Sequence, residues 1–242
     1  MIEVKNLTKS YGSKTVVNDI TFTAKSGHIT GFIGHNGAGK TTALSMITGS
    51  LRPTSGKILL DGIDIEKSPI EAKRTFGYVS DSPDHFLRLK AVEYLNFIAD
   101  IYDAPAEGRA EFIENYATRF GILDSINLPI LSLSHGMRQK VMVMGALIHN
   151  PKIWILDEPL TGLDPESAFE LKKMMKEHGK NGNTVLFSTH VLEVAEKLCD
   201  EVVIIRRGEI LYSGTLANLR KTFGKKGDSL EDIFLKINQK GH

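Results

Sequence analysis

The sequence predicts an α/β fold built around a mostly parallel β-sheet, and two observations support this. The first is a set of continuous apolar runs of strand length, which are typical of strands covered on both faces. These runs are residues 28–34, 153–159, 183–190 and 201–206. The second is that helical patterns alternate with the runs, which is the order found in α/β domains.

The composition narrows the class of protein. The chain has 242 residues, enough for one large domain or two small ones, and 30 Lys and Arg against 29 Asp and Glu leave a net charge of +1. This balance gives no support to bulk attraction to nucleic acid or to anionic membranes. The single cysteine, Cys199, cannot form an internal disulfide, so we expect a reduced, cytoplasmic setting. The N-terminus lacks the apolar core of a signal peptide, and no run approaches the roughly 18 apolar residues of a membrane helix.

The first third of the chain combines short strands with one helix. Residues 1–27 and 56–65 alternate in part between apolar and polar side chains, which predicts a small antiparallel sheet beside the main one. A helix follows Lys40 and is expected to end near Gly49, because glycine suits the position after a helix.

The middle of the chain is predicted to be helical. Residues 86–150 hold no convincing strand and show helical patterns near 90–102, 107–120 and 135–149. The last of these carries apolar or small residues at helical spacing. We therefore expect a helical insert that interrupts the α/β core.

The last third returns to the α/β pattern. A helix is expected to begin at Asp164-Pro165, a cap residue followed by proline, and to carry Phe169, Met174 and Met175 inward. The tail places four apolar side chains on one helical face, namely Leu230, Ile233, Phe234 and Ile237. The predicted organisation is a single domain over 1–220, with a core and antiparallel β-subdomain in 1–85 and 151–220, a helical subdomain in 86–150, and a short C-terminal helical tail in 221–242.

A glycine-rich loop follows the first apolar run. It is "GHNGAGKTT" at residues 34–42, and Gly34, Gly39, Lys40 and Thr41 fit the pattern G-x-x-x-x-G-K-[ST]. The glycines let the backbone curl so that several N–H groups point into one hollow at a helix N-terminus. With the charge of Lys40, this hollow suits the β- and γ-phosphates of a nucleotide, while Thr41 can offer a hydroxyl to Mg²⁺ and Thr42 can reach the α-phosphate. The sequence thus predicts a P-loop NTPase core; the alternative is a glycine-rich turn that binds nothing.

Two acidic residues end the second apolar run. Asp157 is placed to lie near a nucleotide-bound metal ion, and Glu158 to polarise a water for attack on the γ-phosphate. The alternative is an acidic pair that only caps a turn.

Further motifs narrow the family. In chain order, Tyr11, "GHNGAGKT", "GYVSD", "LSHG", "ILDE", "TGLD" and "STH" follow one another. With these motifs the chain resembles the ATP-binding cassette (ABC) proteins over nearly its whole length, and more narrowly the ATPase subunits of ABC-2-type exporters. The resemblance implies that Tyr11 is the adenine-stacking aromatic, "GYVSD" the Q-loop, "LSHG" the signature, "TGLD" the D-loop and His190 the switch histidine.

The resemblance implies a composite site in which two such domains face each other head to tail. Each ATP then lies between the P-loop of one copy and the signature of the other. Ser134 and Gly136 begin the helix predicted at 135–149, whose N-terminus is a second positive helix end. The alternative for Ser134 is an ordinary helix N-cap. The alternative for Tyr11 is a turn aromatic packed on the small sheet, and Asp164 can cap its helix whether or not it also contacts a second copy.

The candidate site residues follow from these motifs. The catalytic candidates are Lys40, Glu158 and His190. The nucleotide-binding candidates are Tyr11, Gly34, His35, Asn36, Gly37, Ala38, Gly39, Lys40, Thr41, Thr42, Ser134 and Gly136, and the candidate Mg²⁺ ligands are Thr41, Asp81 and Asp157.

The chain departs from the commonest family pattern in two places. His135 and Met137 replace the second Gly and the Gln of the signature LSGGQ, which adds bulk near the expected phosphate. Asp81 replaces the glutamine of many Q-loops; a carboxylate can touch Mg²⁺, but when ionised it cannot donate a hydrogen bond.

The resemblance implies an ATP-hydrolysing subunit of an ABC transporter, expected to be an exporter. Its expected partners are a second copy of itself or a paralogous ATPase subunit, and separately encoded transmembrane permease subunits, with no nucleic acid. Its expected place is the cytoplasm, peripheral on the inner face of the cell membrane. The expected docking surface is the helical insert with the segment "SDSPDHF", where Pro83, His85 and Phe86 are predicted to form an exposed cluster or a plain loop.

Two other functions remain open at this point. One is a soluble ABC ATPase that acts on nucleic acid or ribosomes, against which stand the single P-loop, the lack of a heptad run and the net charge. The other is a regulatory nucleotide-binding protein with little turnover, against which stand Glu158 and His190.

Overall fold

Six strands form the larger of two β-sheets in the computed structural model, which describes residues 1–225 and 227–239. The strands of the chain are β1 Ile2–Tyr11, β2 Lys14–Ala24, β3 Ile29–Ile33, β4 Ser55–Leu60, β5 Ile63–Asp64, β6 Phe76–Val79, β7 Ile153–Leu156, β8 Thr184–Thr189, β9 Glu201–Arg206 and β10 Glu209–Thr215. The helices are α1 Lys40–Ile47, α2 Pro69–Arg74, α3 Ala91–Ile101, α4 Arg109–Arg119, α5 His135–Leu147, α6 Pro165–Lys180, α7 Leu192–Leu198, α8 Leu216–Phe223 and α9 Leu230–Gln239.

The larger sheet is mostly parallel, as the sequence predicts. Its order is β10-β9-β3-β8-β7-β6, and only the edge pair β9 and β10 is antiparallel. The strands β3, β7 and β8 are buried along their whole length, which explains why their sequences are continuous apolar runs. Because parallel strands end at one edge, the segments that follow these three strands meet there.

The smaller sheet is antiparallel and lies against the first. Its order is β2-β1-β4-β5, formed by the two segments predicted from their partial alternation. Phe22 of β2 stacks on Phe32 of β3 with ring centroids 5.3 Å apart, so the two sheets share one apolar layer.

Helices fill residues 86–150, where the described structure contains no strand beyond one isolated bridge between Lys90 and Pro129. Helix α5 is buried from Gln139 to Leu147 because it lies between the sheet and the other helices of the insert. It approaches β6 so closely that a Cβ on Gly77 would lie 1.8 Å from the carbonyl oxygen of Ala146.

One expectation for helix α6 is wrong. Met174 and Met175 are buried, but Phe169 is 66% exposed. The buried position belongs to Leu171, which with Met174 and Met175 follows the i, i+3, i+4 spacing of one helical face. Phe169 is five residues from Met174, which places it about 140° around the helix from that face.

The described part of the C-terminal tail contains the end of α8, which begins before the tail, and the whole of α9. The four side chains predicted to share one face of the tail, Leu230, Ile233, Phe234 and Ile237, are all buried. The tail predicted at 221–242 lies partly outside the described residues, because residues 226 and 240–242 are not among them.

Candidate functional site

The glycine-rich loop lies between β3 and α1 and is packed too tightly for other residues at two points. A Cβ on Gly34 would lie 2.5 Å from the carbonyl oxygen of Ile205, which belongs to β9. Gly39 has a φ of +107°, and a Cβ there would lie 3.0 Å from the carbonyl oxygen of Val16 in β2. The loop is therefore held in its curled shape by strands on both sides.

Lys40 is the first residue of α1 and is buried under the loop. Its Nζ donates to the carbonyl oxygen of Gly34 at 2.7 Å and of His35 at 3.4 Å, and lies 3.3 Å from Oε1 of Glu158. The first N–H groups of a helix have no partner within the helix. A buried ammonium beside such a helix end can stabilise a polyphosphate.

The loop opens onto a cavity of about 230 Å³. Most of the predicted loop residues line it together with one Q-loop and one strand-end carboxylate; the lining is Val16, Asn36, Gly37, Gly39, Lys40, Thr41, Thr42, Asp81 and Glu158. Tyr11, Ser134 and Gly136 are not part of this lining. The structure thus brings most of the loop, Asp81 and Glu158 together at the cavity. Asp157 and His190 also lie outside the lining, although His190 contacts Glu158.

Asp157 follows β7 and is fully buried beneath the loop. Its Oδ1 accepts a hydrogen bond from Ser188 Oγ, and its Oδ2 has no hydrogen-bond partner among the described residues. Burial raises the pKa of this carboxyl, and the hydroxyls of Ser188 and Thr41 oppose that rise. A buried carboxylate oxygen without a donor is a suitable ligand for a cation.

Glu158 connects the cation of Lys40 to the predicted switch histidine. Its Oε2 lies 2.9 Å from Nδ1 of His190, and its backbone N–H donates to Ser188 Oγ at 2.9 Å. Its φ of +45° is unusual for a residue with a side chain. Strained backbone of this kind persists where the surroundings fix it, often at functional sites. The contacts place the carboxylate where it can accept a proton from a water and orient the imidazole.

The residues present fit a magnesium ion only in combination with a nucleotide. No group of three or more His, Cys, Asp or Glu within the described ranges could hold a metal ion by itself. Mg²⁺ usually takes one or two carboxylates and completes its shell with water and phosphate oxygens. The free Oδ2 of Asp157, the hydroxyl of Thr41 and the carboxylate of Asp81 meet that requirement.

The signature segment begins α5 at a distance from the loop. Ser134 is the N-cap of α5, and its side chain accepts from the backbone N–H of Met137 at 3.3 Å. A Cβ on Gly136 would lie 2.7 Å from the carbonyl oxygen of Gly162, and a Cβ on Gly162 would lie 2.6 Å from the ring of His135. The signature therefore packs directly on the predicted D-loop, and its capping role leaves a ligand-binding role open.

The surroundings of Tyr11 and Asp164 bear on the alternatives stated for them. The ring of Tyr11 is 53% exposed and has Lys9 Nζ 5.0 Å from its centroid, so it is not packed into the small sheet. Asp164 caps α6 by accepting from the backbone N–H of Ser167 at 2.8 Å, and it lies 3.1 Å from Lys140 Nζ. The Ser167 hydroxyl also donates to this carboxyl, at 2.6 Å, and with the backbone N–H of Ser167 and the nearby Lys140 it holds the pKa of Asp164 well below its usual range.

The segment 80–86 differs in part from its prediction. His85 and Phe86 are exposed, but Pro83 is buried, so the three residues do not form one exposed cluster. A loop has no periodicity from which buried and exposed positions could be told apart. Phe86 packs against Tyr94 and Phe97 of α3, with ring centroids 5.5 Å apart in both pairs.

Sequence reasoning missed two residues of the site. Ser188 joins Asp157 to the backbone of Glu158, and the stretch "STH", used only for His190, contained the signal. Val16 lines the cavity from β2, and nothing in its own sequence neighbourhood indicates this.

Known proteins are similar to this chain over most or all of its length. The family model described as "ABC transporter" matches residues 17–161. The "ABC-type transporter ATP-binding protein EcsA" of Bacillus subtilis (strain 168) is 35% identical over 244 residues, covering 100% of this chain and 99% of that protein. Its relative in the same organism, "ABC transporter ATP-binding protein NatA", is 37% identical over 220 residues, covering 90% of this chain and 89% of that protein.

Solved structures of ABC transporter subunits have a fold similar to that of this chain. A structure described as the ATP-binding subunit of an ABC transporter has a TM-score of 0.94 at 32% identity, covering 98% of this chain and 99% of that one. A dimeric post-hydrolysis state of the ATP-binding cassette MJ0796, bound to ADP and Pi, has a TM-score of 0.78 at 25% identity, covering 89% of this chain and 99% of that one.

Proposed function

The chain belongs to the ABC transporter family, as an ATP-binding subunit with ATPase activity, and from this premise we propose that its ATP hydrolysis powers an exporter through nucleotide-dependent dimerisation. The observation that carries the proposal is the chain of contacts from Lys40 through Glu158 to His190, of which Lys40 and Glu158 line the P-loop cavity. A protein that only bound nucleotide would not need a carboxylate placed between a buried cation and an imidazole.

Each residue of the site has a defined task in this proposal. The loop 34–42 and Lys40 bind the phosphates, while Thr41, Asp157 and Asp81 hold the magnesium ion. Glu158 accepts the proton of the attacking water, and His190 holds that water and the γ-phosphate in place. Bound Mg²⁺ supplies charge neutralisation of the phosphate oxygens.

The second half of the site comes from another copy or from a paralogous subunit. Ser134 and Gly136 do not line the cavity of their own chain, yet they begin a helix whose N-terminus suits an anion. Two such helix ends that converge on one γ-phosphate make ATP the ligand that joins the copies, and its hydrolysis releases them. The dimeric state of the similar cassette MJ0796 supports this arrangement.

We further propose that the helical region 86–150 acts as one unit that docks on separately encoded permease subunits. No described helix is both long and apolar enough to cross a bilayer. An apolar surface suitable for docking includes the exposed side chains of Phe86, Phe97 and Ile101. The subunit would then lie on the inner face of the cell membrane, and the exporter assignment rests on the resemblance of the signature segment.

The test of hydrolysis is an ATPase assay of the wild type and Glu158→Gln. Loss of the general base is expected to lower the rate by about 100-fold or more while ATP binding is retained. Glu111→Gln, an exposed change on α4, is the matched control and should keep the wild-type rate. Equal rates for wild type and Glu158→Gln would instead fit a nucleotide switch that does not hydrolyse ATP.

A further inference from the structure

The C-terminal helix α9 is firmly anchored on the core. Its N-terminus carries a reciprocal cap, in which the Ser229 N–H donates to Oδ2 of Asp232 at 2.9 Å and the Asp232 N–H donates to Oγ of Ser229 at 3.1 Å. Lys236 pairs with Asp228 ahead of the helix. The buried face of α9 packs on α7 and α8 within the main apolar cluster. The helix is therefore a fixed part of the fold in the described chain.

One side chain of this helix touches the nucleotide loop. The buried ring of Phe234 meets the ring of His35 with centroids 5.0 Å apart and an interplanar angle of 64°, which is an edge-to-face contact. His35 is the second residue of the loop "GHNGAGKTT". The tail of the chain thus reaches the binding site across almost 200 positions of sequence.

The contact acts on the residue whose backbone shapes the loop. The carbonyl oxygen of His35 accepts from the backbone N–H of Ala38 at 3.1 Å and lies 3.4 Å from Nζ of Lys40. The ring of His35 is otherwise exposed on its side of the loop. A shift of this residue would move both an acceptor of the phosphate-binding lysine and the turn that directs the loop N–H groups.

We propose that Phe234 of α9 is a positioning residue for nucleotide binding, which fixes the P-loop through the ring of His35. The inference rests on the proposed role of residues 34–42 in holding phosphates. The contact with His35 joins Phe234 to the loop itself, so we expect the effect to fall on nucleotide affinity and not on the chemical step. Edge-to-face aromatic pairs contribute enough to change affinity by about threefold to tenfold.

The test is calorimetric titration of the full chain with MgADP, which occupies the loop without turnover. Phe234→Leu keeps a buried apolar side chain but removes the ring, and its Kd is expected to rise by about threefold to tenfold. In ATP hydrolysis the same variant should raise KM by a similar factor and leave kcat within twofold. Ile233→Val is the matched control, because Ile233 is equally buried on α9 but lies against Gly224 instead of the loop. Its Kd should stay within twofold of wild type.

A double-mutant cycle with His35→Ala isolates the contact. In the His35→Ala background, Phe234→Leu should change the Kd no further. An unchanged Kd in Phe234→Leu, an equal shift in Ile233→Val, or a full shift in the His35→Ala background would each overturn the inference. Lys40→Ala separates this from the proposed function: if that variant binds MgADP as wild type does, the role of the loop itself is wrong.

Discussion

At the scale of single residues, the surroundings of Asp157 destabilise the ionised form of its carboxyl. Burial raises its pKa, and one of its oxygens lacks a donor among the described residues. We predict that Asp157→Asn raises the melting temperature of protein without nucleotide or Mg²⁺ by about 2–4 °C, which corresponds to about 1 kcal/mol in a chain of this size. The same variant should lose most ATPase activity, because it lacks the anionic ligand. Differential scanning calorimetry at pH 7.5 measures the first effect.

The pH dependence of the difference in melting temperature between Asp157→Asn and wild type tests whether charge burial is its cause. A carboxyl with a raised folded-state pKa is destabilising when ionised, so the advantage of Asn should be present at neutral pH and shrink as acid protonates Asp157. An advantage that stays constant from pH 7.5 into the acid range would show that charge burial is not its cause. Asp228→Asn, at a half-buried position ahead of α9 where the carboxyl pairs with Lys236, should not be stabilising.

His178 is predicted to make the fold sensitive to mild acid. Burial lowers its pKa to about 4, from an ordinary value of 6.5, and its ring meets the buried Trp154 with centroids 5.6 Å apart. Between these two pH values the unfolded chain binds a proton that the folded chain does not, so the free energy of unfolding falls as pH drops from about 6.5 to 4.

Replacing this ring tests that sensitivity. His178→Phe keeps an aromatic side chain but cannot titrate. Between pH 7.5 and pH 5 its free energy of unfolding should fall by about 1–2 kcal/mol less than that of wild type. Urea unfolding followed by the fluorescence of Trp154, the single tryptophan, measures both curves. Parallel losses in the two proteins would assign the acid sensitivity to other groups, of which the half-buried His149 is the first to examine.

At the scale of elements, the contact between β6 and α5 sets how the helical insert lies on the sheet. A Cβ on Gly77 would meet the backbone of Ala146 at 1.8 Å, and backbone cannot move aside as a side-chain end can. We predict that Gly77→Ala lowers the free energy of unfolding by more than 3 kcal/mol or prevents folding. Its counterpart is Gly179, within α6, where a Cβ would meet only ordinary contacts at 3.5 Å and 3.9 Å.

Gly179→Ala should therefore stabilise the protein by about 0.5–1 kcal/mol, since alanine is the better helix former. Chemical denaturation of the two variants beside wild type gives both values. Two shifts of the same sign would mean that the close approach of α5 to β6 does not decide the cost.

The elements also show what could be predicted from sequence. Strands β3, β7, β8 and β9 were predictable because strands covered on both faces have continuous apolar sequences. The exposed position of Phe169 was not predicted, because its hydrophobicity suggested burial whereas its spacing from Met174 places it off the buried face. The loop 34–42 was predictable because its chemistry is local in sequence. Contacts such as Phe234 with His35, or Val16 beside the cavity, join distant segments and have no local pattern.

At the scale of the whole molecule, the two helix ends that we propose to bind phosphate lie apart within one chain. Helix α1 begins at the cavity, while α5 begins against Gly162 and outside that cavity. In the proposed function a single copy offers half of the donors that a γ-phosphate would meet, and a second molecule supplies the other half. The proposal therefore makes the association of two copies depend on which nucleotide is bound.

We predict that Glu158→Gln shifts from a monomer of 26.8 kDa to a dimer in saturating MgATP but not in MgADP, as measured by size-exclusion chromatography with light scattering. Ser134→Asp added to this variant should keep it monomeric. Aspartate caps a helix as well as serine does, so α5 stays intact, but its charge repels the incoming γ-phosphate.

The matched control for this change is Thr215→Asp, since Thr215 likewise caps a helix, α8, by accepting from the backbone N–H of Asn218 at 3.2 Å, but lies outside the P-loop cavity. This variant should still dimerise. If Ser134→Asp dimerises as readily as Thr215→Asp does, the start of α5 does not face the nucleotide of a second copy. A permease partner can also favour the dimer, so Ser134→Asp and Thr215→Asp should be compared in the assembled complex as well. There the variant that dimerises more readily is expected to have the higher ATPase rate.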